Sequence, residues 1–139
     1  FEGKNKPAFR KFMPTDYEGM ENNYFAPNIP LMRYANVLLM KAEALNELGQ
    51  TTEAISLINQ VRERADMPDM KGTSQAQVRE QIEHERLLEF PLENLRFYDL
   101  RRWGKTQEAL KAVGRDFNPD KNNFYPIPIQ EINTNNALH

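Results

Sequence analysis

Apolar side chains recur at helical spacing between Pro30 and Gly49. The positions at three- and four-residue intervals predict one buried helix face, formed by Tyr34, Val37, Leu38, Ala42, Leu45 and Leu48. Leu39 and Met40 lie off that face, so we expect the helix to be covered on more than one side. Pro30 suits the first turn, because its missing N–H needs no intrahelical partner there. Gly49 can adopt the left-handed conformation that ends many helices.

A second helix is predicted directly after this glycine. Thr51 or Thr52 is the expected N-cap, and Pro68 ends the segment. The expected inner stripe consists of Ala54, Ile58, Val61 and Ala65. Two helices joined by a tight glycine turn form an antiparallel hairpin, and the spacing resembles one tetratricopeptide unit. The sequence contains a single copy, whereas such units need about three neighbours for a continuous core.

A third helix is predicted after a short loop. Ser74 and Gln77 have the spacing of a capping box at its start. Pro91 ends or kinks the helix near Phe90, because proline removes a backbone hydrogen bond. Asn94, which follows, tolerates a left-handed turn better than most residues.

The C-terminal part combines short helices with a proline-containing tail. Residues 95–103 are predicted to form a fourth helix, which Gly104 stops, and residues 105–113 a short fifth one. YPIPI, at residues 125–129, alternates prolines with apolar residues. We therefore expect an extended ribbon whose apolar side chains fill a groove.

The pattern as a whole predicts an all-α fold. We expect a helical bundle with one tetratricopeptide-like hairpin, an irregular N-terminal loop region and an extended, proline-containing C-terminal tail. A short strand is expected at residues 9–12. The chain is expected to be a single partial domain, made of loops at 1–29, a helical core at 30–104, and a short helix with the tail at 105–139.

Composition and charge narrow the expected partners. The 139 residues include 18 basic and 20 acidic side chains, a formal net charge of -2, so neither nucleic acid nor an anionic membrane surface is expected to bind. No apolar run approaches the ~20 residues of a membrane span. The sequence has no cysteine, which excludes disulfide and thiolate chemistry within it. It begins with Phe1 rather than Met, which suggests a processed chain or a fragment of a longer protein.

The main candidate for chemistry is HERLLEFPLENLRFYDLRRWG, at residues 84–104. Glu85 and Glu89 are one helical turn apart, which places both carboxylates on one face, and a glycosidase needs such a pair. Arginines surround them in the sequence, namely Arg86, Arg96, Arg101 and Arg102. Guanidinium groups favour ionised carboxylates, whereas a general acid must hold a proton. We therefore favour a structural role for the pair and expect no catalytic residue.

Neither a metal nor a cofactor is expected. HERLL, at residues 84–88, is half of a zinc-binding helix motif, but Leu88 stands where the second histidine belongs. The only other histidine is His139. A glycine-rich phosphate loop and a serine nucleophile elbow are also absent from the sequence.

The same stretch holds aromatic residues and a further acid. Phe97, Tyr98 and Trp103 can stack on a sugar ring, but their helical spacing favours a place in the core. Asp99 has an arginine three residues away on each side. We expect exposed ion pairs of little energetic value there.

Glu43 lies between two alanines, so another helix can approach it closely. If it is buried, it needs a partner such as Arg33, Arg62 or Arg64. An exposed Glu43 is an equal alternative.

Four segments of the chain resemble one protein family. They are RYANVLLMKAEALNE (33–47), INQVRERA (58–65), ERLLEFPLENLRFYDLRRW (85–103) and FYPIPIQEI (124–132). Their order is that of the C-terminal part of a SusD/RagB-type protein. The chain departs from the family at Asn94, where glycine is usual, and at Pro91, where alanine is common. The usual continuation, rich in Gln, Asn, Pro, Gly and Tyr, is missing after His139.

This resemblance implies a function. Such proteins are lipoproteins on the outer face of the outer membrane in Bacteroidetes, and they bind glycans or other nutrients without catalysis. The implied partner is a SusC-like TonB-dependent transporter, over which they close. Membrane contact is implied only through a lipid anchor on an N-terminal cysteine that this sequence lacks. The implied fold has tetratricopeptide-like helix pairs, most of them in an N-terminal half that this chain does not contain.

The resemblance also bears on individual residues. The matched residues look architectural, and with Glu43 they form the expected structural set: Glu85, Arg86, Glu89, Glu93, Arg96, Asp99, Arg102 and Trp103. Family ligand residues are mostly aromatics on variable loops, and no motif here maps to them. The candidates we name for ligand binding are Tyr17, Tyr24 and Phe25. If an arginine partner is left buried and unpaired, Glu89→Ala is expected to destabilise the fold by about 3–5 kcal/mol.

Two other functions stay open. One is a helical adaptor that binds a peptide or protein in a tetratricopeptide-like groove, which a groove along residues 34–65 would favour. The other is a glycosidase, which requires Glu85 and Glu89 to be exposed in a cleft and away from arginine. A concave aromatic surface on residues 13–28 would favour glycan binding instead.

Overall fold

The protein is known here from a computed structural model, which describes Lys11, residues 30–135 and Ala137. These residues form helices and no strand, so the predicted all-α fold is confirmed. The helices are α1 (Tyr34–Glu47), α2 (Thr51–Arg64), α3 (Gln75–Glu89), α4 (Arg96–Arg102), α5 (Thr106–Ala112), α6 (Pro119–Asn122) and α7 (Ile129–Thr134). The predicted strand lies outside the described residues, apart from Lys11, which is in a turn.

The chain forms two compact units. The first ends at Leu92 and contains α1, α2 and α3, which pack against one another. The second begins at Glu93 and contains the four shorter helices. The expected division into residues 1–29, 30–104 and 105–139 stays a prediction. No helix in the described part of the chain is both long and apolar enough to cross a bilayer.

The predicted hairpin of α1 and α2 turns at Gly49, whose φ is +81°. The Gly49 N–H donates to the Asn46 carbonyl at 3.0 Å, and the Gln50 N–H donates to the Leu45 carbonyl at 2.9 Å. These two bonds satisfy carbonyls that the end of α1 leaves without partners. The predicted threonine cap of α2 is wrong, because Gln50 is the N-cap residue and makes no side-chain cap bond.

Helix α1 begins at Tyr34, later than predicted. Arg33 precedes it with extended backbone, at φ −114° and ψ 156°, so Pro30 lies outside the helix instead of in its first turn. The extended Arg33 sends its side chain to α3, as described below.

The buried face of α1 is rotated from the predicted one. Leu38 and Ala42 are buried as expected, and Leu39, which is 0% exposed, agrees with the expectation that α1 is covered on more than one side. Tyr34, Val37 and Leu48, all predicted to be buried, are exposed. The physical reason is that α1 packs against both α2 and α3, so its centre of contact lies between the two neighbouring helices.

Asn46 is a buried amide that joins all three helices of the first unit. Its side-chain N–H₂ donates to the Gln75 carbonyl at 3.0 Å, and the Gln75 side chain donates back to the Asn46 carbonyl at 2.6 Å. The Thr51 hydroxyl donates to the Asn46 side-chain oxygen at 3.2 Å. These hydrogen bonds offset the cost of burying the amide, whereas a buried amide without partners would destabilise the fold. This explains why Thr51 does not cap α2.

The predictions for the buried stripe of α2 and for the ends of α3 are confirmed, except at Ala65. Ala54, Ile58 and Val61 form the buried stripe of α2, while Ala65 is exposed at its C-cap. The predicted capping box of Ser74 and Gln77 is present at the start of α3. That helix buries Val78 and Ile82 and ends at Glu89, as Pro91 predicted.

Left-handed backbone marks the loop after α3. Asn94 adopts the predicted positive φ, at 58°. Leu92 also has a positive φ, at 66°, which the sequence did not predict. This conformation costs a residue with a side chain roughly 1–2 kcal/mol, so the surrounding structure must hold Leu92 there.

The tail of the second unit is only partly extended. Residues 125–128 have no regular secondary structure, in line with the predicted ribbon, but Ile129 begins helix α7. Phe124, Tyr125 and Ile127 are exposed. The expectation that the apolar side chains of the tail fill a groove is therefore wrong for these residues. Gly104, at φ +70°, follows α4 as predicted, and α5 matches the short helix expected there.

Candidate functional site

Glu85 is held almost out of contact with water between α2 and α3. Its carboxylate accepts hydrogen bonds from the Arg62 guanidinium and, at 2.6 Å, from the Gln81 amide. The Arg62 and Glu85 side chains are only 11% and 8% exposed. Arg62 also donates to the Pro68 carbonyl at 2.7 Å, which ties the loop after α2 to the same pair.

Glu89, one turn further along α3, bridges the other two helices. Arg33, at the start of α1, donates to one carboxylate oxygen at 2.8 Å. Arg64, in the last turn of α2, donates to the other at 2.5 Å. The sequence analysis named Arg33, Arg62 and Arg64 as candidate partners of Glu43. In the structure, these three arginines pair with Glu85 and Glu89 instead. The hairpin explains this, because it places the start of α1 and the end of α2 beside the second half of α3.

Cations also surround the end of α3. The Lys11 ammonium donates to the carbonyls of Glu89 at 2.7 Å and Pro91 at 3.3 Å. Arg33 donates to the same Glu89 carbonyl at 3.0 Å. Positive groups stabilise the negative end of a helix and satisfy its last carbonyls. The end of this helix is therefore fixed by side chains distant in sequence.

Arg86 is buried and faces α1. It donates to the side-chain oxygen of Asn36 at 2.8 Å, and both residues are buried. The guanidinium groups of Arg86 and Arg33 lie 5.1 and 5.2 Å from the centre of the buried Phe90 ring. Such cation–π contacts strengthen when water is excluded. Arg86 and Phe90 thus extend the glutamate–arginine contacts into the core.

This arrangement does not meet the requirement for a glycosidase. A cavity of about 300 Å³ opens beside Glu85 and Glu89. However, both carboxylates are largely buried and bound to arginine. The two carboxylates of a glycosidase must face the sugar in a cleft, whereas these two face arginine side chains. The geometry therefore supports a framework in which α3 is locked to the hairpin.

In the second unit, Asp99 is the centre of a smaller group. Its carboxylate accepts a hydrogen bond from Arg102 at 3.0 Å, as the spacing predicted. Asp99 is buried, so the expectation of fully exposed ion pairs is wrong. Arg96, instead of pairing with Asp99, lies 6.0 Å from the centre of the Trp103 ring, and Arg102 lies 4.6 Å from it.

The other aromatic residues of α4 are not core residues. Phe97 and Tyr98 are exposed, contrary to the expectation from their spacing. Helix α4 has only seven residues and buries only Asp99 and Leu100, so little of its circumference is covered. Phe97 makes edge-to-face contacts with Tyr98 and with Phe117.

Glu43 and Glu93 also belong to the predicted structural set. Glu43 is partly buried, between the two alternatives, and both it and Glu93 make at least one polar or electrostatic contact. Tyr17, Tyr24 and Phe25 lie outside the described residues. No group of three or more metal-binding side chains occurs among the residues that the structure describes. The structural role of the predicted set stays a prediction.

One ion pair of the first unit was missed from the sequence. Arg79 donates two hydrogen bonds, both of 2.8 Å, to the Glu47 carboxylate at the end of α1. These bonds lower the pKa of Glu47, with a further contribution from the charge of Arg79. The two residues are far apart in sequence, so only the packing of α1 against α3 shows the pair.

Glu47→Gln is expected to lower stability slightly at neutral pH. A carboxyl whose pKa is lowered by folding stabilises the protein above the pKa of the unfolded chain, and this contribution disappears as the pH falls through the folded value. The difference in urea midpoint between the unchanged chain and the Glu47→Gln variant should therefore shrink as the pH falls below the ordinary range of glutamate, about 4. Because the side chains of Glu47 and Arg79 are both exposed, about 1 M salt should also weaken their ion pair and reduce this difference. A difference that persists in acid would contradict the ion pair.

Two open depressions lie along the hairpin. The larger, of about 800 Å³, follows the outer side of α2 and is lined by Ser56, Gln60, Glu63, Asp66, Pro68 and five neighbouring residues. The smaller, of about 330 Å³, lies between Tyr34 and Arg64 at the open end of the hairpin. Both fall largely within residues 34–65 or directly after them, where a peptide groove was considered.

The sequence was compared with protein families and with related proteins. A profile of the SusD family matches residues 4–139. The chain belongs to the SusD family. Among its SusD-like relatives from Formosa agariphila, protein P38 is 45% identical in an alignment of 95 positions, gaps included, that covers 62% of this chain and 19% of P38. Protein P25 is 34% identical in an alignment of 144 positions, gaps included, that covers 96% of this chain and 27% of P25.

Solved structures agree with this membership. The crystal structure of a SusD superfamily protein from Bacteroides vulgatus has a TM-score of 0.69 and 41% identity over 76% of this SusD-family chain. A SusD-like protein from Bacteroides fragilis has a TM-score of 0.55 and 36% identity over 63% of it. The chain covers 25% and 18% of those two proteins, so it spans about a quarter or less of their length.

Proposed function

We propose that this chain is the C-terminal scaffold of a non-catalytic nutrient-binding protein, and that the nutrient is an oligosaccharide. The protein works with a SusC-like TonB-dependent transporter at the outer face of the outer membrane. It contacts the membrane through a lipid anchor of the longer protein. Membership of the SusD family supports this proposal.

The observation that carries the proposal is the state of Glu85 and Glu89. Three arginines from α1 and α2 bind these two carboxylates, and all of these groups lie within the packed first unit. Catalytic acids typically lie in a cleft and have shifted pKa values. Networks of paired charges, in contrast, are often purely structural. The pairing supports a binding protein in which this region positions other parts.

A helical adaptor is the second candidate. The depression of about 800 Å³ along α2 supports it, because a peptide can lie along such a groove. Its rim carries the carboxylates of Glu63, Asp66 and Asp69, so a basic peptide would be favoured. The two candidates differ in their ligand, which is an oligosaccharide for the first and a peptide for the adaptor.

Glycan-array binding tests the proposal, with the longer SusD-family protein that contains this chain and the chain alone measured side by side. We expect the longer protein to bind at least one oligosaccharide and the chain alone to bind none. Binding by the chain alone would contradict the scaffold role and would make Tyr17, Tyr24 and Phe25 the first residues to mutate. If neither binds a glycan and the chain binds a lysine- and arginine-rich peptide, the adaptor is correct instead.

A further inference from the structure

Two cations that are distant in sequence bind the same backbone oxygen at the end of α3. The Lys11 ammonium donates to the Glu89 carbonyl at 2.7 Å, and Arg33 donates to that carbonyl at 3.0 Å. Lys11 also donates to the Pro91 carbonyl at 3.3 Å. A carbonyl oxygen has two lone pairs, so it can accept both bonds at once. Glu89 therefore joins two points of the chain that the 21 residues 12–32 separate.

The Glu89 carbonyl is a suitable anchor for two cations. It is among the last four carbonyls of α3, which have no donor within the helix, and the end of a helix carries partial negative charge. The Glu89 carboxylate, whose side chain is 10% exposed, accepts from Arg33 as well, at 2.8 Å. Negative charge on the main chain and on the side chain of this residue offsets the repulsion between the ammonium and the guanidinium.

Capping of the helix does not by itself require these two cations. Helix ends are commonly capped by the residues that directly follow them, whereas Lys11 and Arg33 lie 78 and 56 positions away from Glu89. What the two cations share is their place at the two ends of one segment. Their common bond closes residues 12–32 into a loop whose two ends are fixed to the first unit.

The segment between the two cations contains the residues that the sequence named for ligand binding. Tyr17, Tyr24 and Phe25 belong to it, although they lie outside the described residues. Binding residues are often carried by loops that a rigid scaffold positions, and fixing a loop before it binds lowers the entropic cost of binding. Because ion pairs lock α3 to the hairpin, the end of α3 can serve as such a scaffold.

We propose that Lys11 and Arg33 are positioning residues, which fix both ends of residues 12–32 on the Glu89 carbonyl for ligand binding by the longer protein. The closure of the segment stands on the hydrogen bonds described above, whereas its consequence for the ligand rests on the proposed function. Lys11 is the better residue to vary, because Arg33 also pairs with the Glu89 carboxylate.

Chymotrypsin cleavage of this chain, followed by mass spectrometry, tests the closure. The protease cuts mainly after aromatic residues, several of which lie within residues 12–32, and cleavage requires local opening. Lys11→Met removes the donors but keeps a side chain of similar length. We expect it to increase cleavage within the segment at least about tenfold, the effect of losing one hydrogen bond of a charged group. Lys11→Arg, which keeps a cationic donor, should restore most of the protection.

Three controls separate the closure from general effects. Lys71→Met removes an exposed charge from the loop after α2 and should leave cleavage within residues 12–32 unchanged. Glu89→Gln keeps the carbonyl, so it should increase this cleavage much less than Lys11→Met does. Cleavage after Phe124, which is 74% exposed, should keep its rate in every variant.

Other cleavage patterns would overturn the closure. Equal rates for the unchanged chain and Lys11→Met would mean that the lysine does not hold the segment. An equal increase for Lys71→Met would assign the effect to the loss of a positive charge, and an equal increase for Glu89→Gln would assign it to the carboxylate. Faster cleavage after Phe124 as well would show that Lys11→Met loosens the whole chain.

Ligand affinity of the longer protein tests the positioning role. For an oligosaccharide that binds it on the glycan array, Lys11→Met should raise the Kd at least about fivefold in isothermal titration calorimetry, because the segment must then be ordered on binding. Lys11→Arg should restore the affinity, and Lys71→Met should not change it. An unchanged Kd for Lys11→Met would contradict the positioning role. If the longer protein binds no oligosaccharide, the proposed function fails together with this role, while the cleavage rates still decide the closure.

Discussion

Glu85→Ala is expected to lower the free energy of unfolding of this chain by about 3–5 kcal/mol. The substitution leaves Arg62, whose side chain is 11% exposed, with only the Pro68 carbonyl among the acceptors described for it. A buried cation without its counter-ion is strongly destabilising, because it keeps the cost of desolvation and loses the attraction that offset this cost. Urea unfolding followed by circular dichroism measures the effect.

Glu80 provides the matched control for this substitution. It is exposed on the same helix, and exposed glutamates can usually be replaced within about 0.5 kcal/mol. We therefore expect Glu80→Ala to leave the urea midpoint almost unchanged. Equal midpoints for the Glu85 and Glu80 variants would contradict the buried ion pair.

The structure reduces the effect expected for Glu89→Ala. The value of about 3–5 kcal/mol required an arginine left buried and unpaired. Arg33 and Arg64 are 25% and 60% exposed, so water can partly replace the carboxylate around both. Arg33 also keeps its bond to the Glu89 carbonyl. We therefore expect Glu89→Ala to cost less than Glu85→Ala.

Leu39→Ala is expected to destabilise this chain by about 2–5 kcal/mol. Leu39 is completely buried in the first unit, so truncation removes apolar contacts and leaves a cavity. The cost depends on how far the surrounding side chains can move into that space. Thermal and urea unfolding of the purified variant would measure it.

Val37 is the control because the sequence pattern placed it, and not Leu39, on the buried face. It is 42% exposed, so Val37→Ala should change stability by less than about 1 kcal/mol in this chain. A larger effect for Val37→Ala than for Leu39→Ala would mean that the buried face of α1 is the one predicted from periodicity.

Local signals explain why most helix ends could be predicted. Gly49 and Gly104 have the positive φ that their position after a helix requires, and Asn94 adopts the turn expected of it. Ser74 and Gln77 form their capping box within four residues of sequence. These features depend on neighbouring residues alone, so the sequence contains all of the necessary information.

Features that depend on tertiary packing could not be predicted in the same way. The periodicity of α1 shows that it has an apolar side, but two neighbouring helices determine which residues become buried. Thr51 was a reasonable cap until packing brought it to Asn46. Asn46 itself, polar and buried, carries no sequence signal that distinguishes it from an exposed asparagine.

The sequence predicted that the candidate site contains ion pairs, but it did not predict which residues form them. The density of acids and arginines around Glu85 and Glu89 indicated ion pairs. Their partners, however, come from the ends of α1 and α2, at separations of 23 to 56 residues. Helical spacing reports only on residues three or four positions apart. The distant partners therefore required the arrangement of the hairpin against α3.

A double-mutant cycle between Arg62 and Glu85 tests most directly whether the acidic stretch is an ion-paired framework. The unfolding free energies of Arg62→Ala, Glu85→Ala and the double variant would be compared with that of the unchanged chain. If the pair locks α2 to α3, the double variant should be more stable than the sum of the single effects predicts, by about 1–3 kcal/mol. Additive effects would contradict the framework and return Glu85 to the list of candidate functional groups.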